Sequence, residues 1–205
     1  MDQFFITYVI IGIAVLISLK GFSDSYFREQ YLYKPYNVKH YGEFYRIFTH
    51  VFLHGDPMHL IFNMLTLYFF GPWVEVVFRN QLGYVGGSLL YVAFFVLSSM
   101  FSTLIQYARH KDHEFYRSLG ASGAVSSVLF AVIMMFPTLE LRIFFAIPIP
   151  AYIFGPLYLA FEFWSDKNGK GNIAHDAHIS GALFGIVFIL ITNIEQVKVA
   201  FNTLF

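Results

Sequence analysis

A serine hydroxyl attacks a carbonyl only when a base takes its proton and donors hold the charge that develops on oxygen. This chain carries parts for that chemistry in separate places. Gly120-Ala121-Ser122-Gly123 sets a hydroxyl between glycines at the mouth of an apolar run, residues 120–136. At a helix N-terminus the Ser122 N–H is free to face an oxyanion. Ala177-His178-Ile179-Ser180-Gly181 puts an imidazole at the start of another apolar run, with Gly185 one turn beyond Gly181. His59 and Asn63, four apart on a third run, share a helix face and offer two donors to a developing negative charge. Glu75 lies further along that run, where a carboxylate is expected to accept bonds from loop backbone or a basic side chain.

Each feature also has a purely structural reading. Small residues such as Gly120, Gly123, Gly181 and Gly185 let membrane helices approach closely, and His or Asn between helices contributes about 1 kcal/mol per hydrogen bond. His50 and His54 extend the row of His59 and open a metal-ligand reading, but no His-Glu-x-x-His or Glu-x-x-His pattern accompanies them. His175 lies three before His178, on a neighbouring position of one face. Asp176 is two residues from His178 and falls on a different face, so it reads as an N-terminal cap or helix-dipole partner. From these residues alone, packing and catalysis both stand.

The elements that position these groups must lie largely in lipid. Of 205 residues, 57% are hydrophobic and 13% charged, where a soluble domain carries about 25% charged. Net charge is zero, which gives nucleic acid nothing to bind. The absence of cysteine excludes a disulfide framework, a thiolate metal site and a cysteine nucleophile. Apolar runs predict six spanning helices near 4–19, 59–78, 84–107, 120–136, 141–164 and 174–192. Asp2 ahead of the first run, with no basic segment, makes that run an uncleaved span. Residues 22–56 interleave aromatic rings with Arg and Lys, which suits a partly helical segment on the membrane surface. Arg79-Asn80-Gln81 reads as a turn, 108–119 as a polar loop, 165–173 as a flexible loop, and the residues after 192 as a short tail. Pro148 and Pro150 make the fifth span irregular at its start. One six-helix membrane domain over residues 1–205 is expected, since only helices satisfy their own backbone in lipid without closing a barrel.

Taken in order, these residues resemble the rhomboid family of intramembrane serine proteases. The resemblance runs from Tyr45 to Gly185. Arg46 stands where the family has the Arg of its Trp-Arg pair, with Tyr45 in place of Trp. His59 to Asn63 matches its His-x-x-x-Asn, Glu75 an acidic residue near the end of that helix, Gly120 to Gly123 its Gly-x-Ser-Gly, and Ala177 to Gly181 with Gly185 its sixth-helix motif.

The resemblance implies a serine endopeptidase with a Ser122–His178 dyad and no third carboxylate, cutting transmembrane segments of other membrane proteins. The Ser122 N–H, His59 and Asn63 would hold the oxyanion and Gly120 would shape the hole. Arg46 and Glu75 would support the first loop and its connection to the bundle, and Gly181 and Gly185 the helix contact. No cofactor or metal is implied. The fifth helix, with Phe144, Phe145, Phe154, Tyr158 and Phe161, would form a lateral gate. A multi-pass location in a bacterial cytoplasmic membrane follows from the six-helix core. The family places the site toward the outside, which leaves Arg28, Lys34, Arg109 and Lys111 on outer loops, against the positive-inside rule.

Two other readings compete. A non-catalytic family member that binds membrane helices would be expected to lack the Ser or the His. A transporter using His50, His54, His59 and His178 as a proton path would be expected to show repeat symmetry that the sequence does not have. Some family members stack an aromatic ring on the catalytic His from one turn after the nucleophile. Here that position is Ser126, so something else must hold His178.

Overall fold

A computed structural model describes residues 6–143, 146–169 and 174–204. The protein is mostly helical. Among the described residues, three helical stretches are long and apolar enough to cross a membrane: Ile6–Ser23, Pro57–His110 and His175–Thr192.

The first is α1, Ile6–Ser23. The surface segment that follows holds three short helices: α2 (Ser25–Tyr31), α3 (Pro35–Tyr41) and α4 (Arg46–Thr49). Asp24 caps α2 by accepting from the Phe27 N–H at 2.9 Å, and Pro35 starts α3, which ends at Gly42 in the left-handed region.

Helix α5 runs from Pro57 to Ser102, with Asp56 as its cap and Pro57 in its first turn. It contains one break, at Gly83, whose φ of 74° and ψ of 172° suit glycine alone. The chain reverses there. Arg79 Nε donates to Ser88 Oγ at 2.9 Å and the Phe78 ring meets Phe94, so residues 57–82 and 84–102 pack antiparallel. A Cβ on Gly87 would lie 2.3 Å from the Arg79 nitrogen, which is why the returning arm carries glycine at that point. The expected turn at Arg79-Asn80-Gln81 is therefore corrected to Gly83. Arg79 is a buried helical residue paired with Glu75, an arrangement that its position beside Asn and Gln did not signal.

Residues 104–110 form a further helix, α6 (Leu104–His110), which carries the end of the expected third span at 107 on into the expected loop at 108–119. Helix α7, Ser122–Met135, is buried along nearly its whole length and sits at the centre of the bundle. The fifth apolar run does not start as a helix. Glu140–Ile143 (β1) and Ile147–Pro150 (β2) pair antiparallel, with Glu140 opposite Pro150 and Ile143 opposite Ile147. Pro148 and Pro150 cannot donate to a helical ladder, so the helix waits until α8, Ala151–Asn168. It continues through residues 165–168, which the sequence reads as loop, and stops at Gly169 in the left-handed region. The rest of that expected loop, 170–173, lies outside the described residues. Helix α9 is His175–Thr192. The expected tail is a further helix, α10, Ile194–Asn202, with Val197 buried.

Helices α7 and α9 touch through glycine. A Cβ on Gly181 would lie 2.0 Å from the Gly123 carbonyl oxygen, and one on Gly185 would lie 2.3 Å from that of Ser127. Ser127 Oγ donates to the Gly181 carbonyl at 2.6 Å across the same contact. A Cβ on Gly123 would meet Ser102 at 2.3 Å and the Ala177 carbonyl oxygen at 3.1 Å. Glycine thus sets the separation between the helix that carries Ser122 and the helix that carries His178.

Candidate active site

Ser122 is the first residue of α7, so the amides of its turn have no partner within the helix. Gly120, two residues earlier, has a φ of 121°. A Cβ there would lie 2.6 Å from His59 Cε1 and 2.9 Å from Nε2, so the His59 ring rests directly on Gly120. The Gly120 N–H donates to the His50 carbonyl at 3.0 Å, which ties the approach to Ser122 to the surface segment. One turn along the same face of α5 is Asn63. It is 6% exposed, and its Nδ2 is buried with no hydrogen-bond partner.

His54 steadies the other side. Its Nδ1 is 2.8 Å from Ser18 Oγ, and its Nε2 accepts from the Ala121 N–H at 3.5 Å. Ser18 Oγ also donates to the Phe52 carbonyl at 2.9 Å, so the proton between Ser18 and His54 sits on His54 Nδ1. Burial pushes His54 down to about 3, and His50, whose Nδ1 meets the Arg46 carbonyl at 2.9 Å, down to about 4. Both are neutral near pH 7. His50, His54 and His59 do not converge on a common point: each of the first two spends its Nδ1 on a separate element.

His178 stands in the first turn of α9, half-buried. It follows Ala177, whose carbonyl oxygen lies 3.1 Å from a Cβ built on Gly123, the residue after Ser122. Among the described residues, no hydrogen bond joins Ser122 Oγ to His178.

The ring of His178 is held from α8. Its Nδ1 lies 3.1 Å from Glu162 Oε1, and the other carboxylate oxygen lies 2.6 Å from His175 Nδ1. The sequence reading missed Glu162, although a carboxylate within Phe161-Glu162-Phe163 is the costly intramembrane charge that should have drawn notice. Glu162, His175 and His178 are also the described group whose ligand atoms fall close enough for a metal, within 4.8 Å of one another. Ser126, one turn after Ser122, has its Oγ 3.1 Å from Tyr158 Oη. Tyr158 therefore turns inward. Phe161 is exposed, and Phe144 and Phe145 of the expected gate lie outside the described residues.

Asp176 is not the cap of α9, a position that falls to Ala174. Its Oδ1 accepts from the Ala177 N–H at 2.8 Å and from Gln106 Nε2 at 3.3 Å, and its Oδ2 lies 3.5 Å from Arg109. It serves the first turn of α9 as a dipole partner, away from His178.

The remaining expected residues lie in two other places. Arg46, buried, donates to the carbonyls of Leu32 at 2.7 Å and Glu29 at 3.1 Å and pairs with Glu43, gathering α2, α3 and α4 around one guanidinium. Tyr45 lies under that guanidinium at 5.2 Å and reaches the Gln30 carbonyl. Glu75 does not serve the surface segment. It accepts from the Ile6 and Thr7 N–H groups at 2.8 and 3.1 Å, from Thr7 Oγ1 at 3.0 Å and from Arg79, and so caps the start of α1 from another helix.

A family model of the Rhomboid domain matches residues 41–194. The chain is 29% identical over 181 residues to RHOMBOID-like protein 12, mitochondrial, of Arabidopsis thaliana, covering 85% of this chain and 54% of that protein. It is 40% identical over 72 residues to an uncharacterized mitochondrial rhomboid protein of Schizosaccharomyces pombe, covering 34% and 18% of the two chains. It is 35% identical over 96 residues to RHOMBOID-like protein 1 of Arabidopsis thaliana, covering 47% and 22%. The chain thus spans about half the length of the first of these relatives and less of the other two.

Proposed function

This chain belongs to the rhomboid family, and from that premise we propose that it is an intramembrane serine endopeptidase acting on transmembrane segments of other membrane proteins. The observation that carries the proposal is the pairing of His59 on Gly120 with Asn63 one turn on. Asn63 keeps a buried amide without a partner on the face that leads to Ser122. A buried donor left unpaired costs about 1–3 kcal/mol, which fits a group reserved for an anion that forms during reaction.

In this reading Ser122 Oγ attacks the scissile carbonyl while His178 Nε2 takes its proton. The oxyanion accepts from the Ser122 N–H, Asn63 Nδ2 and His59. Collapse breaks the peptide C–N bond, and the proton on Nε2 leaves with the amine. Water, deprotonated by His178 in turn, releases the acyl group and restores Ser122. Segments of weak helix propensity are the expected substrates, because a helical backbone must unwind before its carbonyl can be reached.

We read residues 1–205 as one domain with six crossings: α1, the two arms of α5, α7, α8 and α9. The protein is an integral membrane protein. The expectation of a bacterial cytoplasmic membrane is weakened by relatives named as mitochondrial. The alternative is a non-catalytic member that binds membrane helices. Cleavage of a single-span reporter protein in liposomes separates the two. The protease reading expects product with wild type and none with Ser122→Ala, and equal product from both would defeat it.

A further inference from the structure

The proposed base, His178, lacks the stacked ring that Ser126 displaces, and α8 supplies a substitute of different chemistry. The inward face of α8 follows a helical spacing through Gly155, Tyr158, Glu162 and Asp166. A Cβ on Gly155 would meet Ile133 at 3.3 Å, so the backbone of α8 comes close to α7 there. One turn on, Tyr158 Oη lies 3.1 Å from Ser126 Oγ. The next turn brings Glu162 to both histidines, and the turn after that brings Asp166 to Arg109 in a two-pronged pair at 2.8 and 3.0 Å. Helix α8 is therefore held at four successive turns. Glu162 is 4% exposed, which leaves its carboxylate little choice of partner.

We propose that Glu162 is the positioning residue of His178, so that the site works as a Ser122–His178–Glu162 triad whose carboxylate comes from α8. The proposal rests on the reading of Ser122 as nucleophile and His178 as base. An ionised carboxylate has only acceptors to offer. The two Nδ1 atoms that face Glu162 must then both carry hydrogen. A neutral His178 with hydrogen on Nδ1 has its lone pair on Nε2, the nitrogen needed to take the Ser122 proton. When the Ser122 O–H bond breaks and the Nε2–H bond forms, the ring becomes a cation 3.1 Å from a carboxylate oxygen. The proton on Nδ1 stays where it is, and Glu162 stays ionised. The Nε2 proton later passes to the leaving amine, which closes the balance.

His175 acquires a role in the same scheme. Its bond at 2.6 Å occupies the second carboxylate oxygen, so Glu162 is gripped from both sides and cannot rotate away from His178. Asp176, the carboxylate nearest to His178 in sequence, is engaged by Ala177, Gln106 and Arg109. A divalent metal on Glu162, His175 and His178 would use the same three groups in a different way. It would replace both Nδ1 protons and leave the remaining proton of a neutral His178 on Nε2, where no base is left for Ser122.

The test is the pH profile of kcat/KM for cleavage of a single-span reporter by EDTA-treated full-length protein in liposomes. Glu162→Gln should lower kcat by about 10²–10⁴ with KM changed little, as removal of the orienting carboxylate does in other Ser–His sites. The acidic limb of its profile should also move to lower pH, since the carboxylate that favours the His178 cation is gone. Glu162→Asp should recover part of the rate and move the limb back. An unfolding midpoint for Glu162→Gln near that of wild type makes the loss one of chemistry. An unchanged rate and profile in a folded Glu162→Gln protein would overturn the proposal, as would activity that depends on added divalent metal. If wild type itself fails to cleave, or Ser122→Ala cleaves equally, the protease reading has failed instead.

Discussion

Glu75 and Glu162 are both carboxylates within apolar helices, 0% and 4% exposed. They lie at different parts of the bundle and bond to different chemistry. Glu75 is sixteen residues beyond His59 on α5, about 24 Å along the helix axis. Its partners are two backbone amides, a threonine hydroxyl and a guanidinium. Thr7 has one hydroxyl proton, and that proton goes to Glu75, so the Tyr91 hydroxyl at 3.0 Å donates to Thr7 in turn. None of these donors changes protonation near neutral pH. Glu162 is bonded instead to two imidazoles, whose ring nitrogens can give and take a proton. A buried carboxylate saturated by fixed donors holds a fold together. One that stays ionised against imidazole rings can orient them for proton transfer. The difference lies in the partners, since the two glutamates are equally buried.

The comparison breaks most visibly under substitution. His178→Ala should lower cleavage by about 10⁴ or more, about 5.5 kcal/mol of barrier, with the unfolding midpoint close to wild type. Glu75→Ala should do the reverse. Removing the acceptor shared by α1 and Arg79 should cost about 3–5 kcal/mol of stability, read from denaturant unfolding in detergent and from early amide exchange at Ile6 and Thr7, while surviving folded protein still cleaves. If Glu75→Ala abolished turnover in folded protein, the division between the two regions would be wrong.

Asn63→Ala sharpens the comparison from the site side. It should lower kcat by about 10²–10³, about 2.7–4 kcal/mol, with little effect on stability because Nδ2 has no bond to lose. A loss of stability equal to the loss of activity would make Asn63 a packing residue.

Acid should separate the regions by a smaller margin. His50 and His54 are held below the ordinary histidine range by burial, at about 4 and about 3. Below about pH 6.5 the unfolded chain binds protons at these rings that the folded chain does not. Their stabilising effect is full above that pH and declines as pH falls toward 4, by about 1.4 kcal/mol per pH unit for each ring. Unfolding midpoints measured from pH 7 to pH 4.5 should fall, and His54→Gln should flatten the slope. An equal slope in that variant would remove His54 from the account.

Much of this organisation was legible in the sequence. The apolar runs mark the helices, and the glycines at 123, 181 and 185 announce a close helix contact, because only a residue without Cβ fits there. What escaped notice depends on the third dimension. The reversal at Gly83 hides in a continuous apolar stretch, and the charged Arg79 drew the turn toward itself although its charge is spent on Glu75. The hairpin at 140–150 had its signal in Pro148 and Pro150, which an apolar run of spanning length outweighed. Glu162 lies just before the expected end of the fifth span at 164. Its meaning appears only when α8 is set against α9, since thirteen residues separate it from His175 and sixteen from His178. Asp176 was legible from helix geometry alone: two residues from His178 it falls on a different face, and the helix turns it toward Gln106 and Arg109.

The central claim is that Ser122 is a nucleophile activated by His178, and a fluorophosphonate probe tests it without knowledge of the substrate. With protein in liposomes and mass spectrometry of the adduct, wild type and Glu75→Gln should carry a single covalent phosphonyl group on Ser122, and His178→Ala should carry none. Labelling that spares Ser122 in wild type, or that persists undiminished in His178→Ala, would contradict the account.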